Sequence, residues 1–387
     1  MDKPWNSSSF RLASITALAA IASLALAECP SYGCGLSPLD IATAKDSLEA
    51  LVAEGDTDKT TMTLCGNKGG PPEKQINQDR AILYSPYIIE GSNVQVQLLG
   101  VFDGHGSKGE LTSQHAAIEV PRLLAEKLAI ISFSEEEEKV PEAIKETFIE
   151  VDKTDPSLGE GGCTASIILR IGDKLYVGNA GDSASFISAV VDDKDLLVYI
   201  SREDKPDLPG ERARIQQMGG YVYVPRDPNE DVPRAYMVDE DGYLSYGLAM
   251  SRSLGDWGVK GVIPDPIVDV LNISDIIQNA LTSYSEFCGW DDHDEEDTTE
   301  ESEEYTCKVV DPSEIRLVAV SATDGMMDYL SPAYISSVLA DAFRVEGNLH
   351  PHTAAEKLIL EAANGWDTDY DGDYRDDIAV SAVEVFL

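Results

Sequence analysis

The stretch Val101-Phe102-Asp103-Gly104-His105-Gly106-Ser107-Lys108-Gly109 places a carboxylate, an imidazole and three glycines where the apolar run Val94–Val101 gives way to a helical pattern. Glycines at such a junction let the backbone turn tightly and approach a ligand. Asp103 can bridge hard cations, the Gly104 carbonyl can add an oxygen, and His105 can move a proton near neutral pH. Alone, Asp-Gly-His-Gly would serve equally as a polar turn. Further acids at strand ends shift the balance. Asp79 closes Lys74-Gln75-Ile76-Asn77-Gln78 before an apolar stretch, Asp182 follows Gly178-Asn179-Ala180-Gly181, Asp324 and Asp328 follow Val318-Ala319-Val320-Ser321, and Asp376-Asp377 opens the last apolar run. Acids gathered on one sheet edge repel one another unless cations lie between them. Two hard cations bridged by one carboxylate can activate water and neutralise a phosphoryl group. A histidine could then protonate the departing oxygen and a nearby cationic side chain could hold the phosphate. The pattern points to metal-assisted phosphoester hydrolysis, with nuclease and pyrophosphatase chemistry left open.

Composition narrows the choice. A chain of 387 residues with 43% hydrophobic content can bury one large core with an appended segment. Five histidines and six cysteines are too few for a histidine- or cysteine-built metal centre, so oxygen ligands and Mg²⁺ or Mn²⁺ are favoured over Zn²⁺. The formal charge of −41 argues against a nucleic-acid partner or an anionic membrane surface. It serves solubility, and by itself would steer basic substrates.

Lys3 and Arg11, an apolar run from Leu12 to Ala27, and Ala25-Leu26-Ala27 before Glu28-Cys29 read as a cleaved secretory signal over residues 1–27. At roughly 16 residues the run is short for a membrane span; a buried helix or an organelle transit sequence would be the alternatives. The reading therefore places the protein in the secretory pathway or outside the cell, against a cytoplasmic or organellar location. Export would let some cysteines pair, with Cys288–Cys307 clasping an acidic loop, while Cys163 reads as a buried thiol. Asn272-Ile273-Ser274 is an N-glycosylation sequon.

The elements that must position these residues alternate along the chain. A lead-in segment, 28–59, precedes a domain over 60–387. Strand patterns fall at Val94–Phe102, Ala165–Ile171, Lys174–Asn179, Leu196–Ile200, Ile315–Ser321 and Ile378–Phe386, with a hairpin turn at Gly172-Asp173. Helices are expected over Glu110–Ile130, with Pro121 a candidate break, and over Pro141–Val151, Glu211–Met218, Pro332–Val345 and Thr353–Asn364, the last stopped by Gly365. Paired strand runs favour antiparallel sheets, hence an α+β fold. Residues 221–245 read as a surface flap. Residues 284–307, with eleven Asp or Glu and no Lys or Arg, read as a solvated insertion.

Over roughly residues 60–387 the sequence resembles the metal-dependent, type 2C family of serine/threonine protein phosphatases. The resemblance is carried in order by Lys74…Asn77-Gln78-Asp79, Asp103-Gly104-His105-Gly106, Gly162-Cys163-Thr164-Ala165, Gly178-Asn179-Ala180-Gly181-Asp182-Ser183 and Asp204-Lys205-Pro206 with Glu211 and Arg214. It continues through Leu248-Ala249-Met250-Ser251-Arg252-Ser253-Leu254-Gly255-Asp256, Asp324-Gly325-Met326-Met327-Asp328 and Asp376-Asp377-Ile378. It implies two antiparallel sheets in a sandwich flanked by helices, with two Mg²⁺ or Mn²⁺ ions at one end. By that resemblance Asp103 bridges the ions, Asp324 and Asp376 complete the first site, and the Gly104 carbonyl and Asp79 serve the second. Asp182 and Asp328 match a weaker third site, Lys74 binds phosphate, and His105 is the general acid while a metal-bridged water attacks phosphorus. A phosphoprotein substrate and a monomer without stable membrane association are implied. Gln78 for a Glu, Asp377 for a usual Asn, Met327 for an aromatic, Ala184 for an Arg and Lys74 where Arg would grip phosphate bidentately are departures. Three other readings stand beside this one. They are a catalytically weak phosphatase-like binding or regulatory protein, a phosphoesterase for small molecules, and a calcium protein built on Asp367-Thr368-Asp369-Tyr370-Asp371-Gly372. The last lacks a Glu at its twelfth position, which is Ile378.

Overall fold

The computed structural model describes residues 48–50, 57–71, 74–91, 94–132, 136–227, 231–239, 241–290, 308–344 and 349–386. The expected signal at 1–27, most of the lead-in segment, and Cys29, Cys34 and Cys307 lie outside the described residues.

The valine-, isoleucine- and leucine-rich central strands are buried along nearly their whole length, so both faces of each sheet are covered, and the inner faces meet as stacked antiparallel sheets. One sheet has the order Leu48–Ala50, Lys59–Leu64, Ile378–Val385, Arg316–Ala322, Ala184–Val191, Lys194–Ile200. The other runs Ile267–Asn272, Lys174–Ala180, Ala165–Ile171, Val96–Phe102, Arg80–Tyr84. Between them lie Leu99, Ile168 and Val177 from the second sheet and Ile187, Ala189, Leu317 and Val383 from the first, all buried. The outer face of the second sheet packs on helices Gly109–Leu128 and Glu136–Lys153 through Phe102, Val120, Leu124, Ile144 and Phe148. The outer face of the first packs on Pro332–Ala342 and Pro351–Asp369 through Met62, Val320, Leu339, Leu358 and Val380. This is the expected α+β sandwich flanked by helices.

Toward one end the interior turns polar. Ser166, Ser185 and Ser321 form a hydroxyl chain at 2.9 and 2.7 Å, and Thr164 meets Ser183 at 2.7 Å. Each buried hydroxyl thereby finds a partner beneath the edge where the acids emerge.

Several expectations are corrected. The helix Gly109–Leu128 runs through Pro121, which is buried and whose carbonyl accepts from the Tyr87 hydroxyl. Gly365 does not stop its helix, which continues to Asp369. A Cβ there would sit 2.2 Å from the Tyr329 ring, so the glycine provides close approach, and burial of Trp366 carries the helix on. The acidic insertion begins later than 284. An amphipathic helix, Ile273–Trp290, buries Ile276, Ala280 and Tyr284 in the sandwich core, and residues 291–307 lie outside the described residues. The expected flap region is a three-stranded sheet, Tyr221–Tyr223, Arg234–Val238 and Leu244–Leu248, over a small core of Ile215, Val222, Ala235 and Val259.

Candidate active site

The acids sit where they do because strands of both sheets end together. Asp79 precedes Arg80–Tyr84, Asp103 follows Val96–Phe102, and Arg80 pairs with Phe102, so the two acids flank one rung. In the other sheet Ala322 pairs with Val380, which brings the turn at Asp324 beside Asp376-Asp377. Asp103 is fixed by its N–H to the Thr164 hydroxyl (3.0 Å) and its carbonyl to the Thr164 N–H (2.9 Å).

Electrostatics show that Asp79, Asp103, Asp324 and Asp376 share one small volume. Burial, then the fields of Asp79, Asp324 and Asp376, push the Asp103 carboxyl well above the usual range. Burial, then Asp377, does the same for Asp79. Asp324 is pushed up to about 7 by burial and by Asp182 and Asp376. Both carboxylate oxygens of Asp79 and Oδ1 of Asp324 are buried with no hydrogen-bond partner. Such oxygens cost free energy unless a cation or donor meets them. Among the described residues no three such groups close into a ready-made cage. The open set of hard oxygens fits Mg²⁺- or Mn²⁺-like ions that keep much of their water, and not Zn²⁺.

A cation that sequence reasoning missed stands in this cluster. Lys68 Nζ lies 2.7 Å from Asp376 and 3.0 Å from Asp377. Burial opposes its charge, yet Asp377 and Asp376, with Asp103 and Asp79 behind them, raise its pKa far above the ordinary lysine value. Lys74, expected at the phosphate, is exposed on the same loop, its N–H bonded to the Pro71 carbonyl at 2.9 Å. Asp377 also accepts from the N–H groups of Gly66 (2.6 Å) and Gln78 (3.1 Å), pinning the loop to the last strand. A carboxylate at this position, in place of Asn, can serve all three donors. Gln78 likewise suits its surroundings, because its Nε2 donates to the Gly106 carbonyl and to Glu110, each at 3.0 Å.

His105 projects from the short strand Gly104–Gly106, and its Nε2 meets Asp256 Oδ2 at 2.7 Å. Ser253 Oγ donates to the same oxygen at 2.5 Å. Burial works against charge on the ring, but Asp256 outweighs it and raises the imidazole pKa above its ordinary 6.5. Nδ1 is buried and without a partner. Gly162 lies across the strand pair, where a Cβ would stand 2.2 Å from Asp256 Oδ2 and 2.6 Å from His105 Nε2. The Asp256 pairing was also missed; its motif carried the resemblance but gave no role to the acid.

Asp182 and Asp328 do come together beside Asp324, since the field of Asp182 helps raise the Asp328 carboxyl after burial. Lys205 Nζ binds Asp182 at 2.9 Å, and its charge works against the rise at Asp328. The turn bearing Asp182 is held from below, where Asp204 accepts the Gly181 N–H at 3.3 Å. Around Asp204 lies a buried ionic network. Glu211 accepts from Arg252 Nε (3.0 Å) and Nη2 (2.8 Å), Arg214 Nη1 (2.6 Å), Arg202 Nη2 (3.2 Å) and Ser251 Oγ (2.8 Å). The outlying histidines have local roles: His115 meets Thr154 at 2.9 Å and His350 caps the helix Pro351–Asp369. Cys163 is free and buried as expected; Cys65 and Cys288 are disulfide-bonded.

Two antiparallel sheets between helix pairs thus carry a row of carboxylates at one edge beside a histidine–aspartate pair. The family model described as Protein phosphatase 2C matches residues 73–282, over half the chain, and the chain belongs to that family. It is 33% identical over 237 residues to the Arabidopsis thaliana protein called "Probable protein phosphatase 2C 41", covering 57% of this chain and 65% of the relative. It is 28% identical over 332 residues to the Arabidopsis thaliana "Probable protein phosphatase 2C 34", covering 81% and 78%. The chain thus spans just under two thirds of the length of the first of these. A solved serine-threonine phosphatase 2C from Toxoplasma gondii superposes with a TM-score of 0.57 at 18% identity, over 84% of this chain and 95% of that one. A C. elegans sex determining protein superposes with a TM-score of 0.54 at 18% identity, over 84% and 64%. At that identity the likeness speaks for the fold.

Proposed function

We propose that the protein is a Mg²⁺- or Mn²⁺-dependent phosphatase of phosphoserine and phosphothreonine in proteins. The observation that carries this reading is the set of buried, unpartnered carboxylate oxygens of Asp79 and Asp324 beside the His105–Asp256 pair. Asp103, Asp324 and Asp376 would hold one ion, and Asp103, the Gly104 carbonyl and Asp79 a second, with Asp182 and Asp328 available to a weaker third. Such ions supply an acidified water and neutralise phosphoryl oxygens.

The remaining work belongs to the chain itself. Asp256 commits Nε2 of His105, so the proton for the departing serine or threonine oxygen is held at Nδ1. Asp256 favours the charged imidazolium over the neutral ring, and Ser253 holds Asp256 in place. Lys68 offsets the acids, while exposed Lys74 on the same loop is the ammonium available to the phosphate. A monomer acting on phosphoproteins accords with this reading.

We also place the protein in the secretory pathway or outside the cell. The disulfide-bonded Cys65 and Cys288 support an oxidising compartment. Hydrolysis of a phosphothreonine peptide by the full, oxidised chain tests the activity, with Mn²⁺ or EDTA and with Asp103→Ala alongside. Turnover that needs metal and is lost in the variant is expected; a folded, Mn²⁺-saturated protein without turnover would overturn it. N-terminal sequencing of protein from the medium of an expressing culture tests export, with Glu28 expected first and an intact Met1 counting against it.

A further inference from the structure

The three-stranded sheet over 221–248 contributes one side chain to the mouth of the site. Tyr246, on the strand Leu244–Leu248, has φ of +27°, a conformation that bulky residues adopt only where the surroundings enforce it. Its hydroxyl stands 3.0 Å from where a Cβ on Gly106 would lie, directly over the residue after His105. Burial, then the field of Asp256, raises the phenol pKa above its ordinary value, so the group remains an O–H donor across the working pH range. Among the described residues that hydroxyl makes no hydrogen bond, although the Gly106 carbonyl of the residue it covers accepts from Gln78, and Asp256, whose field reaches it, is bonded to His105 and Ser253. The residue is still 45% exposed, so an incoming molecule can meet it. A strained backbone thus holds an unused donor beside the group that protonates the leaving oxygen.

That position fixes what the donor can meet. His105 lies on the side from which the alcohol departs, and in a phosphoprotein that side carries the polypeptide. We propose that Tyr246 is a substrate-binding residue whose hydroxyl donates to a main-chain carbonyl of the phosphopeptide, so that the site distinguishes peptides from small phosphoesters. The inference rests on the phosphatase reading. A phenylalanine at 246 would keep the ring and the strand and remove only the donor.

The test compares kcat/KM for a phosphothreonine peptide and for p-nitrophenyl phosphate in the full chain with Mn²⁺, wild type against Tyr246→Phe and Tyr246→Ala. One neutral hydrogen bond corresponds to a loss of about 3- to 10-fold. Tyr246→Phe is expected to reduce the peptide-to-aryl selectivity by that factor, mostly through a higher KM for the peptide, and Tyr246→Ala to reduce it further. Unchanged selectivity in Tyr246→Phe, with both substrates turned over, would overturn the proposal, whether both rates fall equally or neither falls. Wild-type protein that hydrolyses neither substrate would instead overturn the phosphatase reading, and this proposal with it. Matching thermal unfolding of wild type and Tyr246→Phe separates lost binding from lost fold.

Discussion

Replacing Glu211 with Gln keeps the size of the side chain and removes the anion from a site ringed by Arg202, Arg214 and Arg252. Glu211 is 4% exposed. Burial would raise its pKa, but the hydrogen bonds from Arg252, Ser251 and Arg214 overcome that and lower it from 4.5 to about 2. That difference corresponds to about 3 kcal/mol of folding free energy. Losing one member of a buried ionic network typically costs a similar about 3–5 kcal/mol, because the opposite charges stay behind. The sign follows from a depressed carboxylate: the contribution is complete above the unfolded value near 4.5 and disappears as pH falls toward 2. Urea unfolding at pH 7, 5, 4 and 3 should therefore show Glu211→Gln about 3 kcal/mol less stable than wild type at pH 7 and 5. The gap should close below pH 4.5. A loss under about 1 kcal/mol at neutral pH, or a gap that is the same at pH 7 and pH 3, would refute the assignment of this network as the support beneath the Asp182 turn.

Gly162→Ala forces a methyl group between His105 and Asp256, so phosphopeptide turnover should drop by about 100-fold or more while the protein still folds. Turnover within threefold of wild type would show that the pair is not needed. In metal-free buffer the raised Asp324 carboxyl makes wild-type stability fall as pH rises from about 4 toward about 7. Asp324→Asn should flatten that slope and melt higher than wild type at pH 8 in EDTA, yet gain less from Mn²⁺; calorimetric scans with and without the ion check both. Gln78→Glu would set a second carboxylate 3.0 Å from Glu110 and turn a donor away from the Gly106 carbonyl. It should cost about 1–3 kcal/mol in thermal unfolding, with recovery on adding Glu110→Gln, and additivity of the two changes would argue against the contact.

Strands with long β-branched runs were legible almost to the residue: Ala165–Ile171 was expected and is found, and Ile378 opens the last strand as read. Lys59–Leu64 and Ala184–Val191 were not singled out, because threonine, alanine and serine dilute their pattern. Those residues are buried as the polar interior beneath the site, a role that hydrophobic periodicity does not register. Gly365 misled for a related reason, since a ring packed against the helix outweighed the local tendency to stop. At the site, the acids at strand ends converge as their spacing suggested. Lys68 and Asp256 escaped because their meaning lies in partners far along the chain, Asp376 and His105, and no local pattern marks either. For Glu211 the sequence offered only a motif position, while its role comes from Arg214 one turn along its own helix and from Arg202 and Arg252 on other segments.

The rung between Gly66 and Asp377 spans 311 positions of chain, and Ile378–Val385 lies between Lys59–Leu64 and Arg316–Ala322 in the interior of its sheet. A ribosome that has reached residue 370 has therefore made a chain whose sheet is split and whose catalytic edge lacks Asp376 and Asp377. Such non-local pairing comes late in folding. An incompletely made polypeptide thus carries Asp103 and His105 without the edge that gathers the other acids around them.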